Sequence, residues 1–444
     1  MAIKKFQFTL SDSFKKYSKN TAWIFSEKSI RILILIIVVP LVARYLGPDE
    51  YGTFNVARAF ASIFILAAPL GIPNILTREI VRKPAEKFEL IGSTIAVRLI
   101  SAVLLYIIMV ALSIVLHYSR LEIALISILG VSMIGMVFDT IDNYLQAIVK
   151  LKSSSKIRLI GLIIGSILKL ILIYFKAPII AFAWVFTLEF ILIAFGFIVI
   201  YRKYGHHFNE LSVNFKILKP ILLTSLPLLY YTILSTINMK IDQLMIDRIL
   251  VDDPAANGYY AVVVGLVESL YFIPVALGTS LFPGLVKQRD ADINTYNKMF
   301  VLLYEILLII SIGVAVVFFV GAPLIIRFLY GEAYAPAIPI MKLYAFCPIL
   351  IFYGSMRSRW LIIQDLHKYS IWFLVASILV NVTLNRILLP IMGPEGAVVA
   401  ILASYFTAFL IVPAIITSTR PSVTMFFQSF LFKEIRERLK NKSI

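Results

Sequence analysis

The sequence predicts an all-α polytopic membrane protein with about twelve transmembrane helices, arranged as two six-helix bundles related by a parallel internal repeat. Three observations predict it. Hydrophobic residues make up 60% of the 444 positions and charged residues only 15%, with mean hydropathy +0.91; a water-soluble domain carries about a quarter charged residues. The apolar residues come in blocks of about twenty, enough to cross a hydrocarbon core of roughly 30 Å at 1.5 Å per residue. The second half also repeats features of the first in the same order.

Taken in order, apolar stretches interrupted by charge, Pro and Gly place spans near 29–46, 53–76, 91–116, 122–148, 157–175 and 179–201. A second set follows near 220–249, 258–285, 298–320, 335–364, 368–390 and 395–418. The blocks are uniformly apolar and too long for barrel strands, so helices are expected. Residues 1–28 are basic but have no apolar core, which excludes a cleavable signal peptide. The organisation is thus an N-terminal segment 1–28, a bundle 29–201, a linker 202–219, a bundle 220–418 and a basic amphipathic tail 419–444.

The net charge of +17 comes from 42 basic and 25 acidic residues. Basic residues collect on the side that bears both termini, while the other side holds only Arg44, Arg120, Lys176, Arg248, Arg327 and Arg386. Cytoplasmic loops carry this excess, so both termini are expected in the cytoplasm and nucleic acid is not an expected partner. In the tail, Phe426, Phe427, Phe430, Leu431 and Ile435 recur at helical spacing among Lys and Arg, as on a helix lying at an anionic leaflet.

The repeat is read from three places. LGPDEYGTFNVARAF (46–60) follows the first span, and VDDPAANGYYAVVVG (251–265) follows the seventh. Pro69 and Gly71 have counterparts in Pro274 and Gly278. KLILIYFKAPIIAFA (169–183) parallels NRILLPIMGPEGAVV (385–399), with Pro178 against Pro394. Six spans per half give both halves one orientation and a pseudo-two-fold axis along the membrane normal, as in transporters that place substrate between halves.

Ionisable side chains inside a membrane are costly and face a cavity or a partner. On the fourth span Ser132, Gly135, Asp139, Asp142, Asn143 and Gln146 form one polar stripe, and the seventh carries Asn238, Lys240, Asp242, Gln243 and Asp247. Arg31, Arg98, Arg357 and Arg359 share a depth near the cytoplasm. Facing inward they make a cationic vestibule for a phosphate or another anionic head group; facing outward they snorkel to the interface. Arg58 lies in the outer part of the second span. Glu189 and Glu268 fit either a cavity or a helix–helix contact. There is no GxxxxGK[ST] loop for ATP. Four histidines and the single Cys347 offer no metal-ligand cluster, so no metal, cofactor or enzymatic activity is expected.

At ARYLGPDEYG, within residues 23–80, the chain resembles polysaccharide flippases of the Wzx type, in the multidrug/oligosaccharidyl-lipid/polysaccharide exporter superfamily. NVTLNRILLPIMGPEGAVVAILASY (381–405) resembles the eleventh-to-twelfth span segment of that superfamily. The resemblance implies two bundles in a V around a central cavity. It also implies a polyprenyl-pyrophosphate-linked oligosaccharide turned from the cytoplasmic to the outer leaflet of the plasma membrane by alternating access, for surface polysaccharide biosynthesis. On this reading Arg31, Arg58, Arg98, Lys240, Arg357 and Arg359 form the cationic substrate cavity. Asp139, Asp142 and Asp242 are candidates for a coupling H+ or Na+. About twelve spans rather than fourteen set the chain apart from the lipid II flippase branch. A monomer is expected because each chain holds both halves, with polysaccharide assembly proteins as candidate partners. The alternatives are a multidrug antiporter of the same superfamily, which needs an acidic pocket, and a glycan polymerase or ligase, which needs a large outer loop.

Overall fold

The computed structural model describes residues 2–442, with side chains from 30 to 438. The segment expected at 1–28 lies outside the described side chains, as do the last residues of the tail. Among the described residues every regular element is helical and none is a strand. Eleven helices among the described residues are long and apolar enough to cross a membrane. The first of these, Ile30–Ala67, covers the first expected span from residue 30 and the second only as far as Ala67. The expected stretch 68–76 is instead a turn and the start of the next helix. The two spans are arms of one helix, α1 (Ala2–Ala67), that meet at Gly47 with φ 73° and ψ 169°. Only glycine adopts that backbone without strain, and Pro48 then starts the second arm from its fixed φ.

The chain divides into two compact units. The first comprises Met1–Tyr45 and Ala57–Ile233, and the second Leu46–Val56 and Leu234–Ile444. In the first unit α1 stops at Ala67, because Pro69 is followed by Leu70 and Gly71, both with positive φ. The helices α2 (Pro73–Arg82), α3 (Lys87–Val115), α4 (Arg120–Gly130), α5 (Ser132–Met136) and α6 (Asp139–Ala147) follow. After them come α7 (Leu151–Tyr174), α8 (Ile179–Lys203) and the start of α9 (Phe215–Ile249). The expected fourth span is therefore three short helices in line, broken around Val131 and at Val137–Phe138. Their core gathers Ile72, Leu76, Ile91, Ile141, Leu145, Phe197 and Tyr201.

The second unit continues α9 into α10 (Ala255–Glu268), α11 (Phe272–Ala291) and α12 (Ile293–Tyr330). Then come α13 (Ala337–Tyr344), α14 (Cys347–Ile363), α15 (Ser370–Met392), α16 (Pro394–Phe406) and α17 (Val412–Ile415). The tail forms α18 (Arg420–Ser429) and α19 (Lys433–Lys442). A π-turn at Thr407–Ile411 joins α16 to α17. Within this unit the counterpart glycines of the two repeat-related turns meet. A Cβ on Gly52 would lie 2.9 Å from the Gly258 nitrogen, and one on Gly258 would lie 2.1 Å from the Pro48 carbonyl oxygen. No larger residue fits either position without moving backbone.

The outside of the helices is apolar. Leu33, Ile37, Val320, Leu324 and Phe328 are each more than half exposed, a surface that only lipid accommodates. Part of the tail's aromatic face turns inward instead: Phe426 is buried with its ring centroid 4.2 Å from that of Tyr353, while Phe427, Phe430 and Leu431 stay exposed.

Candidate functional site

In the first unit the break between α5 and α6 decides what the polar stripe can do. The turn at Val137–Phe138 is closed by short-range bonds to Ile134 and Gly135, which leaves the Met136 carbonyl free. Arg98 of α3 takes it at 2.6 Å and donates to the Thr140 hydroxyl at 3.0 Å. At 2% exposure, Arg98 is a staple across the break. One turn on, Arg158 of α7 sits 2.8 Å from Asp142 and 3.4 Å from Asp139. Asp142 also accepts from the Ser154 hydroxyl and, at 3.2 Å, from Gln146. Arg158 lies over the Phe197 ring at 5.4 Å. Two arginines and two aspartates make this cluster neutral, with most of its hydrogen-bonding capacity used.

The second unit holds a different arrangement. Asp242 of α9 is 2% exposed and accepts from the Tyr260 hydroxyl at 2.9 Å and from the Asn385 amide at 2.7 Å. The same amide donates to Asn381 at 2.8 Å, and Asn257 donates to the Gln243 carbonyl at 2.6 Å. No ammonium or guanidinium pairs with Asp242 among the described residues. Two buried amide oxygens, on Asn238 one helical turn before Asp242 and on Asn385, have no donor among the described residues. The Asn381 amide nitrogen, a donor in the same network, likewise has no acceptor among the described residues.

The remaining sequence-predicted residues divide by exposure. Arg357, 3% exposed, donates to the Ala408 and Phe409 carbonyls at 3.0 and 3.2 Å and lies 4.6 Å from the Phe373 ring. It thus closes the π-turn, whose carbonyls lack regular helical partners. Arg359, half-buried two residues on, reaches the Thr279 hydroxyl at 3.4 Å and no other hydrogen-bond partner among the described residues. Arg58 is exposed on the second arm of α1, and Arg31 is half-buried on the first. Lys240 is 3.8 Å from Glu268, as Lys169 is 3.5 Å from Glu189.

Sequence reasoning missed Arg158, which stands at the very start of the fifth expected span, where a cation reads as an interfacial one. It also missed Asn381 and Asn385, although two asparagines four apart on an apolar span are a usable signal. Glu305 was missed as well: it is fully buried in α12 and caps α19 by accepting from the Glu434 and Ile435 backbone at 3.1 and 2.9 Å.

These helices have the fold of the MOP superfamily, the multidrug/oligosaccharidyl-lipid/polysaccharide exporters. An inward-facing multidrug resistance MATE family transporter of that superfamily aligns with TM-score 0.65 and 14% identity, over 96% of this chain and 100% of that one. The lipid II flippase MurJ in an inward closed conformation aligns with TM-score 0.72 and 16% identity, over 93% and 90%. A MOP superfamily transporter from Pyrococcus furiosus gives 0.62 and 14%, over 94% of each chain. No curated protein matches the chain in sequence. The chain itself belongs to the polysaccharide biosynthesis protein family, whose model matches residues 17–288, more than half its length. It is a multi-pass membrane protein of that family.

Proposed function

We propose that this protein is a flippase. It carries a polyprenyl-pyrophosphate-linked oligosaccharide from the cytoplasmic to the outer leaflet of the plasma membrane by alternating access, with both termini in the cytoplasm and a cation bound at Asp242. Its role is transport, with no covalent chemistry on the substrate.

The observation that carries this reading is the polarity of what remains accessible inside the spans. Each deep carboxylate is already engaged: Asp139 and Asp142 by Arg158, Glu189 by Lys169, Glu268 by Lys240. Asp242 and Glu305 are buried behind hydrogen bonds. Arg58 and Arg359 stay accessible on apolar helices. Such an interior suits an anion, and a guanidinium matches pyrophosphate oxygens in bidentate fashion. We assign head-group contact to Arg31, Arg58 and Arg359. Arg98 and Arg357 position helix breaks, and Lys240 is balanced by Glu268. The family supports a glycan substrate, and tyrosines and phenylalanines on the path would stack on sugar rings.

Coupling is assigned to Asp242 in preference to Asp139 or Asp142. A buried carboxylate met only by neutral donors is an uncompensated charge, and a proton or Na+ sharing its site offsets the desolvation. Arg158 already fills that place in the first unit.

The test is leaflet-resolved. After deletion of the gene in its own host, lipid-linked oligosaccharide should accumulate on the cytoplasmic side, detected by an impermeant glycan label. Wild type should restore transport, while Arg58→Ala with Arg359→Ala should not. Unchanged lipid-linked sugars together with new sensitivity to cationic drugs would replace this reading by the antiporter one.

A further inference from the structure

Beside the start of α9 in the first unit lies a cleft of about 300 Å3, lined by Arg78, Glu79 and Lys83 after α1, by Leu90 of α3, and by Lys216, Ile217, Pro220, Ile221 and Thr224 of α9. None of these residues belongs to the polar networks described above. The volume is at the small end of ligand sites.

Its walls are fixed by main-chain contacts. A Cβ on Gly71 would lie 2.7 Å from the Ser225 carbonyl oxygen, and one on Gly92 would lie 2.5 Å from that of Ser212. The Asn214 backbone donates to Ser93 at 2.8 Å, and its side chain donates to Glu89 at 3.0 Å. Glycine contacts and the Asn214 clamp thus hold α9 against the α1–α2 turn and the head of α3, so the cleft is preformed.

Its chemistry is two-sided. Three cations meet one acid, Glu79, which is already shared by Arg78 at 3.0 Å and Arg82 at 3.9 Å. Lys83 has Glu86 at 3.1 Å. Lys216 is exposed and pairs with no carboxylate among the described residues. The opposite wall is aliphatic, with Ile75, Leu90 and Ile221 buried and Ile217 half-buried. The cleft lies where α2, α3 and α9 begin or end, and α2 is amphipathic, with Ile75, Leu76 and Ile80 buried and Arg78 and Arg82 exposed. Such ends of apolar spans, with cations beside aliphatic side chains, are where lipid phosphates are met.

We infer that this cleft binds the phosphate-bearing head group of a membrane lipid, with phosphate oxygens on Lys216 and Arg78 and the first methylenes of the chain against Ile217 and Ile221. The site does not depend on the flippase reading, since a resident phospholipid and a polyprenyl pyrophosphate share the chemistry it recognises.

Binding to the purified full-length protein in detergent tests this with three probes: dihexanoyl phosphatidylglycerol, geranyl pyrophosphate and inorganic phosphate. At least one amphiphile should bind. Lys216→Gln and Arg78→Gln should each weaken it about tenfold, the worth of one charge-assisted hydrogen bond, with melting unchanged because both side chains are exposed. Lys433→Gln, on α19, should leave affinity unchanged. Preference for phosphatidylglycerol identifies a resident lipid, and preference for geranyl pyrophosphate a substrate-like one. Wild-type affinity in both variants, or inorganic phosphate binding as tightly as the amphiphiles, overturns the assignment.

Discussion

The two units solve the same problem in opposite ways. Each buries aspartates on a membrane-spanning helix, where an unpaired charge is expensive. In the first unit Asp139 and Asp142 are matched by Arg158, with Arg98 nearby, and the charges sum to zero. In the second, Asp242 is met among the described residues by neutral groups, a phenol and an amide, and the neighbouring Asn238 and Asn385 oxygens find no donor there. A balanced cluster gains nothing from an added ion, whereas a carboxylate with no cationic partner does. Burial alone therefore does not identify a working charge. What distinguishes Asp242 is the sign of its surroundings.

Substitutions can break or sharpen this contrast. The largest effect is expected for Arg158→Ala, which strands two carboxylates; removing one member of a buried pair costs about 3–5 kcal/mol. Denaturant or thermal unfolding in detergent should show it, and a loss under 1 kcal/mol would mean that water already screens the cluster. Asp242→Asn should act on transport instead: gradient-driven flipping should fall to the rate without a gradient, while melting stays level or rises, because a buried charge has gone. Gradient-driven transport persisting in this variant would remove Asp242 from coupling. Tyr260→Phe deletes one donor to Asp242 and should cost about 1–3 kcal/mol, as for a hydrogen bond to a charged group, read in the same unfolding assay. Lys240→Gln should be the mildest. The Lys240–Glu268 pair is 3.8 Å long, and the substitution takes a cation from one carboxylate rather than two, so its loss should be smaller than that of Arg158→Ala; an equal loss would make it a third essential network.

Much of the architecture could be read from composition, because lipid makes apolarity itself the fold signal. The turns were legible too. The turn glycines of 46–60 and 251–265, Gly52 and Gly258, lie one position out of strict register, and they touch. The site was harder to read. The stripe from Ser132 to Gln146 assumed one unbroken helix, but the interruption at Val137–Phe138 changes which carbonyls are free and gives Arg98 its task. Arg357 was read as a ligand for phosphate, and the structure shows it occupied by carbonyls that a π-turn exposes. Helical spacing records which residues share a face. It does not record where the backbone departs from a helix, or that Asp242 finds Asn385 143 positions away.

The cap on α19 bears on how the protein is made. Glu305 enters the membrane early in the second unit, but its backbone partners lie 129 and 130 residues downstream. Until those residues leave the ribosome, the carboxylate has no cap to hold, and the half-made bundle carries an unsatisfied acid that quality-control proteases and chaperones can recognise. A chain truncated at Phe432 should be degraded even though all its membrane spans are present.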